Sequence, residues 1–257
     1  MSRFFEPIIV AFSMYSRIPM PDTKWTKENM RWALACLPLV GAACGGVIYA
    51  VYALCVFLRV GTLLTAALMT IAPLLFTGGI HFDGFCDACD ALASHADREK
   101  RLKIMKDPNI GAFGAIYTFG ALIVLLGTFG ELSAHLYLIR AVCLAPVISR
   151  AFAGLMVLRL PKANHGGLAS VFGTDTSNRS SAVLVSFAVI SAVCCALFCG
   201  PVGLIVPAVV ATLYPCCVKM CRVKFGGVTG DLAGFFIVLS GTASALAAAI
   251  LSAALNL

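Results

Sequence analysis

Residues 33–58 read ALACLPLVGAACGGVIYAVYALCVFL, with no charged side chain anywhere in the stretch. As a helix rising 1.5 Å per residue it outreaches the ~30 Å hydrocarbon layer of a bilayer. Comparably apolar segments recur at about 62–79, 112–130, 136–158, 181–199, 202–219 and 231–255. The 257-residue chain is 60% hydrophobic and 12% charged, with a mean hydropathy of +0.95. Soluble domains carry about one-quarter charged residues, and no soluble core of this size hides so many apolar spans. The reading is an all-α, polytopic integral membrane bundle of about seven transmembrane helices, forming one domain over 1–257.

The opening stretch, MSRFFEPIIVAFSMYSRIPMP, has Glu6 and Pro7 early and no small-residue cleavage site, so it reads as an N-terminal interfacial helix rather than a removable signal. Basic residues then alternate by loop. Arg17, Lys24, Lys27 and Arg31 precede the first span, Arg98 to Lys106 follow the second, Arg159, Lys162 and Arg179 the fourth, and Lys219, Arg222 and Lys224 the sixth. The intervening loops offer only Arg59. By the positive-inside rule the amino terminus and the three long loops face the cytoplasm of a bacterial or archaeal inner membrane. The polar, Gly-rich loop 159–180 reads as a flap on that side. Most of the twelve cysteines fall within apolar spans and read as buried thiols.

Against this background GGIHFDGFCDACDAL, residues 78–92, stands out. Six of the twelve acids lie between Asp83 and Asp107. With 83–105 taken as one helix, Asp83, Asp87 and Asp90 fall at i, i+4 and i+7 on one face, and no Lys or Arg follows until Arg98. Stacked like charges call for a counter-ion, and an all-oxygen set points to Mg²⁺. Zinc on Cys86 and Cys89 with His81 or His95 is the weaker alternative, since one C-x-x-C pair lacks a second at metal spacing. A solvated interfacial helix is the plain structural alternative. Asp107 precedes Pro108 in a turn, and reads equally as cap of the next span or as a fourth metal ligand. Gly226–Asp231, GGVTGD, reads as a turn whose N–H groups suit phosphate, with Asp231 as N-cap. Arg150 inside the fourth span, together with Arg98 and Arg17, supplies candidate anion partners.

Taken together, GGIHFDGFCDACDA, REKRLKIMKDPNIGAFG, LPLVGAACGG, the internal Ser149-Arg150 and the late GGVTGD resemble the cobalamin synthase family, also called adenosylcobinamide-GDP ribazoletransferase. The resemblance runs from about Arg17 to the last span. It implies a Mg²⁺-dependent membrane enzyme that joins adenosylcobinamide-GDP to α-ribazole or its 5′-phosphate and releases GMP. The family's signature positions fall on His81, Asp83, Gly84, Asp87, Asp90, Arg98, Asp107 and Gly111, and on Arg17, Arg150 and the Gly227–Asp231 turn. On this reading Asp83, Asp87, Asp90 and Asp107 hold metal, and His81 or a spare aspartate accepts the proton of the attacking hydroxyl. Arg17, Arg98, Arg150, Gly227 and Asp231 bind substrate. Membrane lipid is a partner, nucleic acid is not, and a homo-oligomer is left open. The rivals are a CDP-alcohol-type phosphotransferase, whose Ala-Arg after the first Asp-Gly is missing here, and a cation transporter, which would place its acids at the bilayer midplane.

Overall fold

A computed structural model describes residues 5–163 and 178–255. Among these residues the order is α1 Glu6–Tyr15, α2 Lys27–Ala35, α3 Leu37–Phe57, α4 Thr62–Thr77, α5 Ile80–Ala93, α6 Arg98–Ile104, α7 Ala112–Leu132, α8 Leu136–Arg159, α9 Asn178–Gly203, α10 Ile205–Met220 and α11 Gly230–Ala254. α10 runs into a π-helical turn, Cys221–Phe225. The extended pairing among the described residues is a single parallel bridge, Lys162 to Val228. Of the loop expected to form a flap, residues 164–177 lie outside the described residues.

Six helices are long and apolar enough to cross a membrane: α3, α7, α8, α9, α10 with its π turn, and α11. α4 and α5 pass the same test only together, as a pair bent by 94°, which brings the count to as many as seven. The bend sits on Gly78 and Gly79, whose φ angles of 67° and 82° are left-handed, a region that side-chain-bearing residues avoid. The first span starts at Leu37 rather than 33, because Pro38 fits a helix's first turn and Ala33–Ala35 close α2. Thr26 caps α2, its hydroxyl accepting from Asn29 N–H at 3.1 Å. The opening helix α1 packs on α2 and α3 with Val10 and Ala11 fully buried.

α8 is the axis of the bundle, buried along most of its length, with α3, α9, α10 and α11 around it. Small residues let these helices close up. A Cβ on Gly41 would run into the Pro146 carbonyl, and one on Gly45 into the Cys143 carbonyl. Parity then brings the loops before α3, between α4 and α7, after α8 and before α11 to one end, the basic end. There Arg17 packs against Gly78, Arg98 against Gly226, and Lys162 pairs with Val228. At the opposite end the Tyr52 hydroxyl donates to the Ser133 carbonyl at 3.0 Å.

The α3–α8 crossing gives a direct test. Gly45→Val, facing the Cys143 carbonyl, is expected to cost ~1–3 kcal/mol of stability. Gly46→Ala, with open space around it, is expected to cost little. Thermal melts of the purified variants in detergent separate the two.

Candidate functional site

The acidic stretch does not form one helix. α5 ends at Ala93, His95 takes a left-handed φ of 51°, and Asp97 starts α6 by accepting from Lys100 N–H at 2.9 Å. The expected helix over 83–105 is therefore two, because Asp97 offers a cap that a continuing helix could not use. α5 lies across the N-terminal ends of α7 and α11, and its aspartates meet different partners there.

Asp90 reaches α7. Its Oδ2 accepts from Gly111 N–H and its Oδ1 from Gly114 N–H, both at 2.9 Å. A Cβ on either glycine would collide with that carboxylate. Asp90, twenty-one residues upstream in sequence, thus serves as the cap of α7, the role weighed for Asp107. Asp107 is exposed, and its Oδ1 accepts from Asn109 N–H and Nδ2 at 2.9 and 2.8 Å. Those two bonds hold its carboxyl below the usual carboxylate range.

Asp83 and Asp87 face Asp231. Gly84 packs so tightly on the start of α11 that a Cβ there would stand 2.7 Å from the Asp231 Cα. The charged groups that act on Asp87 are Asp83, Asp231 and Asp90, all carboxylates, and Asp83 also acts on Asp231. The N-cap of α11 is Thr229, which accepts from Leu232 N–H at 3.1 Å, and not Asp231 as expected. The Thr-Gly-Asp order carried that signal, because Thr with its extended backbone precedes the first turn. Freed from capping, Asp231 joins the acidic face, a convergence of residues nearly 150 positions apart that the local sequence pattern does not show.

The glycine turn is also rearranged. Gly227 N–H donates to Cys221 O at 3.0 Å and Val228 N–H to Pro161 O at 2.8 Å, so these amides are engaged within the protein. The Arg98 guanidinium lies over Gly226 in their place as the group there that suits an anion. At the other end of α5, Arg17 lies over Gly78. His81 sits two residues before Asp83 and on a different side of the helix. It is 7% exposed, stacks on Tyr15 at 6.1 Å, and lines a cavity with Arg150. Cys86 and Cys89 are buried against packing neighbours, as expected, and all twelve cysteines are unpaired.

Among the described residues no three His, Cys, Asp or Glu side chains converge closely enough to cage a metal ion. Mg²⁺ needs no such cage, since it is held by one or two carboxylates with waters and substrate phosphate completing its shell. Asp83 and Asp87, with no cation among the described charged groups acting on Asp87, fit that requirement, with Asp231 beside them held in part by Thr229, whereas Asp90 is bonded to the start of α7 and Asp107 to Asn109.

A sequence profile described as cobalamin-5-phosphate synthase matches residues 7–249. The chain belongs to that family. It is 35% identical to the adenosylcobinamide-GDP ribazoletransferase of Lachnoclostridium phytofermentans over 251 residues, 96% of this chain and 95% of the relative. The enzyme of the same name from Clostridium botulinum strain Alaska E43 is 30% identical over 93% of this chain and 95% of its own length. That of Geobacillus kaustophilus is 30% identical over 89% of each. No solved structure matches the chain. For the family, the profile's span means that both contributors to the acidic face, α5 and the start of α11, lie inside the matched region.

The capping role of Asp90 is checked by stability rather than rate. Asp90→Ala is expected to lower stability by about 1–2 kcal/mol, and Asp90→Asn by less, because the amide oxygen still accepts one of the two bonds. Thermal unfolding of both variants in one detergent gives the order.

Proposed function

We propose that this chain is the membrane-bound transferase that joins adenosylcobinamide-GDP to α-ribazole or α-ribazole 5′-phosphate, giving adenosylcobalamin or its 5′-phosphate and GMP. The observation that carries this reading is the family match over nearly the whole chain, together with an acidic face flanked by Arg98 and Arg17. A ribose hydroxyl oxygen of the acceptor attacks the phosphorus on the cobinamide side of the diphosphate. The bond from that phosphorus to the bridging oxygen breaks, GMP leaves with the bond's electrons, and the hydroxyl proton passes to a carboxylate.

Each residue has a task in this scheme. Asp83 and Asp87, with Asp231 opposite, would hold Mg²⁺, which when bound supplies neutralisation of the diphosphate's charge. Arg98 and Arg17 bind phosphate oxygens at the two ends of α5. The proton acceptor is one of the carboxylates of the face, since His81 projects to another side of the helix. Asp90 positions α5 without touching substrate. The active face lies on the cytoplasmic side of the inner membrane, the reading supported by the gathering of basic loops at that end.

The test is to supply adenosylcobinamide-GDP, α-ribazole 5′-phosphate and Mg²⁺ to the purified protein in nanodiscs and measure GMP. Asp83→Asn and Asp87→Asn are expected to lower the rate at least about 100-fold with the fold intact, a loss typical of removing charge stabilisation at a reacting group. Asp107→Asn is expected to leave it unchanged, and EDTA to abolish it reversibly. GMP release at the normal rate from both aspartate variants would remove the metal assignment.

A further inference from the structure

Behind α5, on the side away from the acidic face, a cavity of ≈ 90 Å³ lies among α3, α4, α7, α8 and α11. Its polar lining is Cys44, Thr77, His81, Ser149, Arg150 and Thr242, and the remainder is apolar. Arg150 is 3% exposed, and its Nη1 donates to the Pro146 carbonyl at 3.3 Å. Its other side-chain neighbour is the Cys44 thiol, and no carboxylate among the described residues pairs with it. Three atoms on this wall are buried with no hydrogen-bond partner: Arg150 Nε, His81 Nε2 and Thr242 Oγ1.

A guanidinium in the middle of a membrane bundle, without an acid, is costly unless something anionic meets it. Among the described residues the guanidinium is the one charged group on this wall, beside the Thr242 hydroxyl and the His81 imidazole, each able to donate or accept. Thr77 and Ser149 donate their hydroxyl hydrogens to carbonyls of their own helices. α5 also begins here without a side-chain cap, so its positive end adds to the charge of Arg150. The volume exceeds the roughly 10–15 Å³ that admits one water and falls short of the ~300–1,000 Å³ that encloses a whole small molecule.

We infer that this cavity is a binding site for a single phosphate-type oxyanion, held by Arg150, His81 and Thr242 inside the bundle. Two sources share that chemistry: free inorganic phosphate, and the terminal phosphomonoester of a phosphorylated acceptor. The second source rests on the acceptor reading proposed above.

The first arm measures inorganic phosphate binding by thermal shift in phosphatidylcholine nanodiscs containing EDTA, which keeps divalent cations off the acidic face. Phosphate is expected to stabilise the protein, with Arg150→Met weakening binding at least about tenfold and Thr242→Val about threefold. Asp83→Asn is expected to keep the response. Absence of a response in the unaltered protein, or an unaltered response in both Arg150→Met and Thr242→Val, overturns the site. If Arg150→Met does not fold, Thr242→Val decides.

The second arm compares KM for α-ribazole 5′-phosphate and for α-ribazole. A rise of about tenfold in Arg150→Met for the phosphorylated acceptor alone assigns the source to the acceptor. Unchanged KM values with phosphate binding lost assign it to the free ion. GMP absent with either acceptor defeats the transferase reading and leaves the first arm standing.

Discussion

The arrangement at the basic end depends on one polar contact, the Asp90 carboxylate bridging two backbone amides at the start of α7. A helix start leaves its first amides without partners, and here a side chain from another helix supplies both oxygens. The contact is charge-assisted and aligned with the positive end of α7, so it is stronger than a neutral pair. It fixes how α5 lies across the bundle. With α5 so held, Gly84 seats on Asp231 and the acids of two distant segments share one surface.

That surface is electrostatically incomplete. The charged groups acting on Asp87 are carboxylates, Asp83, Asp231 and Asp90, and Asp83 acts on Asp231 as well. A fold that tolerates this has given up stability at one place, as chains commonly do where they act on a ligand. The opposite incompleteness lies behind the same helix, where Arg150 has no acid. α5 therefore separates a face of carboxylates from a cavity holding an unpaired guanidinium, and presents Asp83 to one and His81 to the other.

Six of the seven expected crossings, and their order, were legible in the sequence because bilayer thickness leaves a length signal that survives packing detail, while the expected span 62–79 is one arm of the bent pair α4–α5. Basic loop residues were equally legible, and Arg17, Arg98 and Lys162 do meet neighbours at one end. The acidic face was legible only in part. Spacing identified Asp83 and Asp87, but it treated Asp90 as equivalent to them, since periodicity says which face a residue occupies and nothing of what lies opposite. Asp231 was hidden by a local rule: an acid in a first turn resembles a cap until Thr229 is seen to hold that place. Gly78 and Gly79 suit either a tight turn or close helix packing by sequence, and their left-handed φ angles show the turn.

The character of α7 has one more consequence. One flank of this helix packs on α4, α5 and α11, and the other is exposed, with Phe113, Ile116, Phe119 and Ile123 turned outward. Its greasy flank can exchange one lipid species for another at almost no cost, since neither offers it anything directional. Its connection to the reactive end runs instead through oxygen and nitrogen atoms that no hydrocarbon can replace. The chemistry at that end is in this way decoupled from the identity of the surrounding solvent, a separation that greasy packing alone could not have achieved.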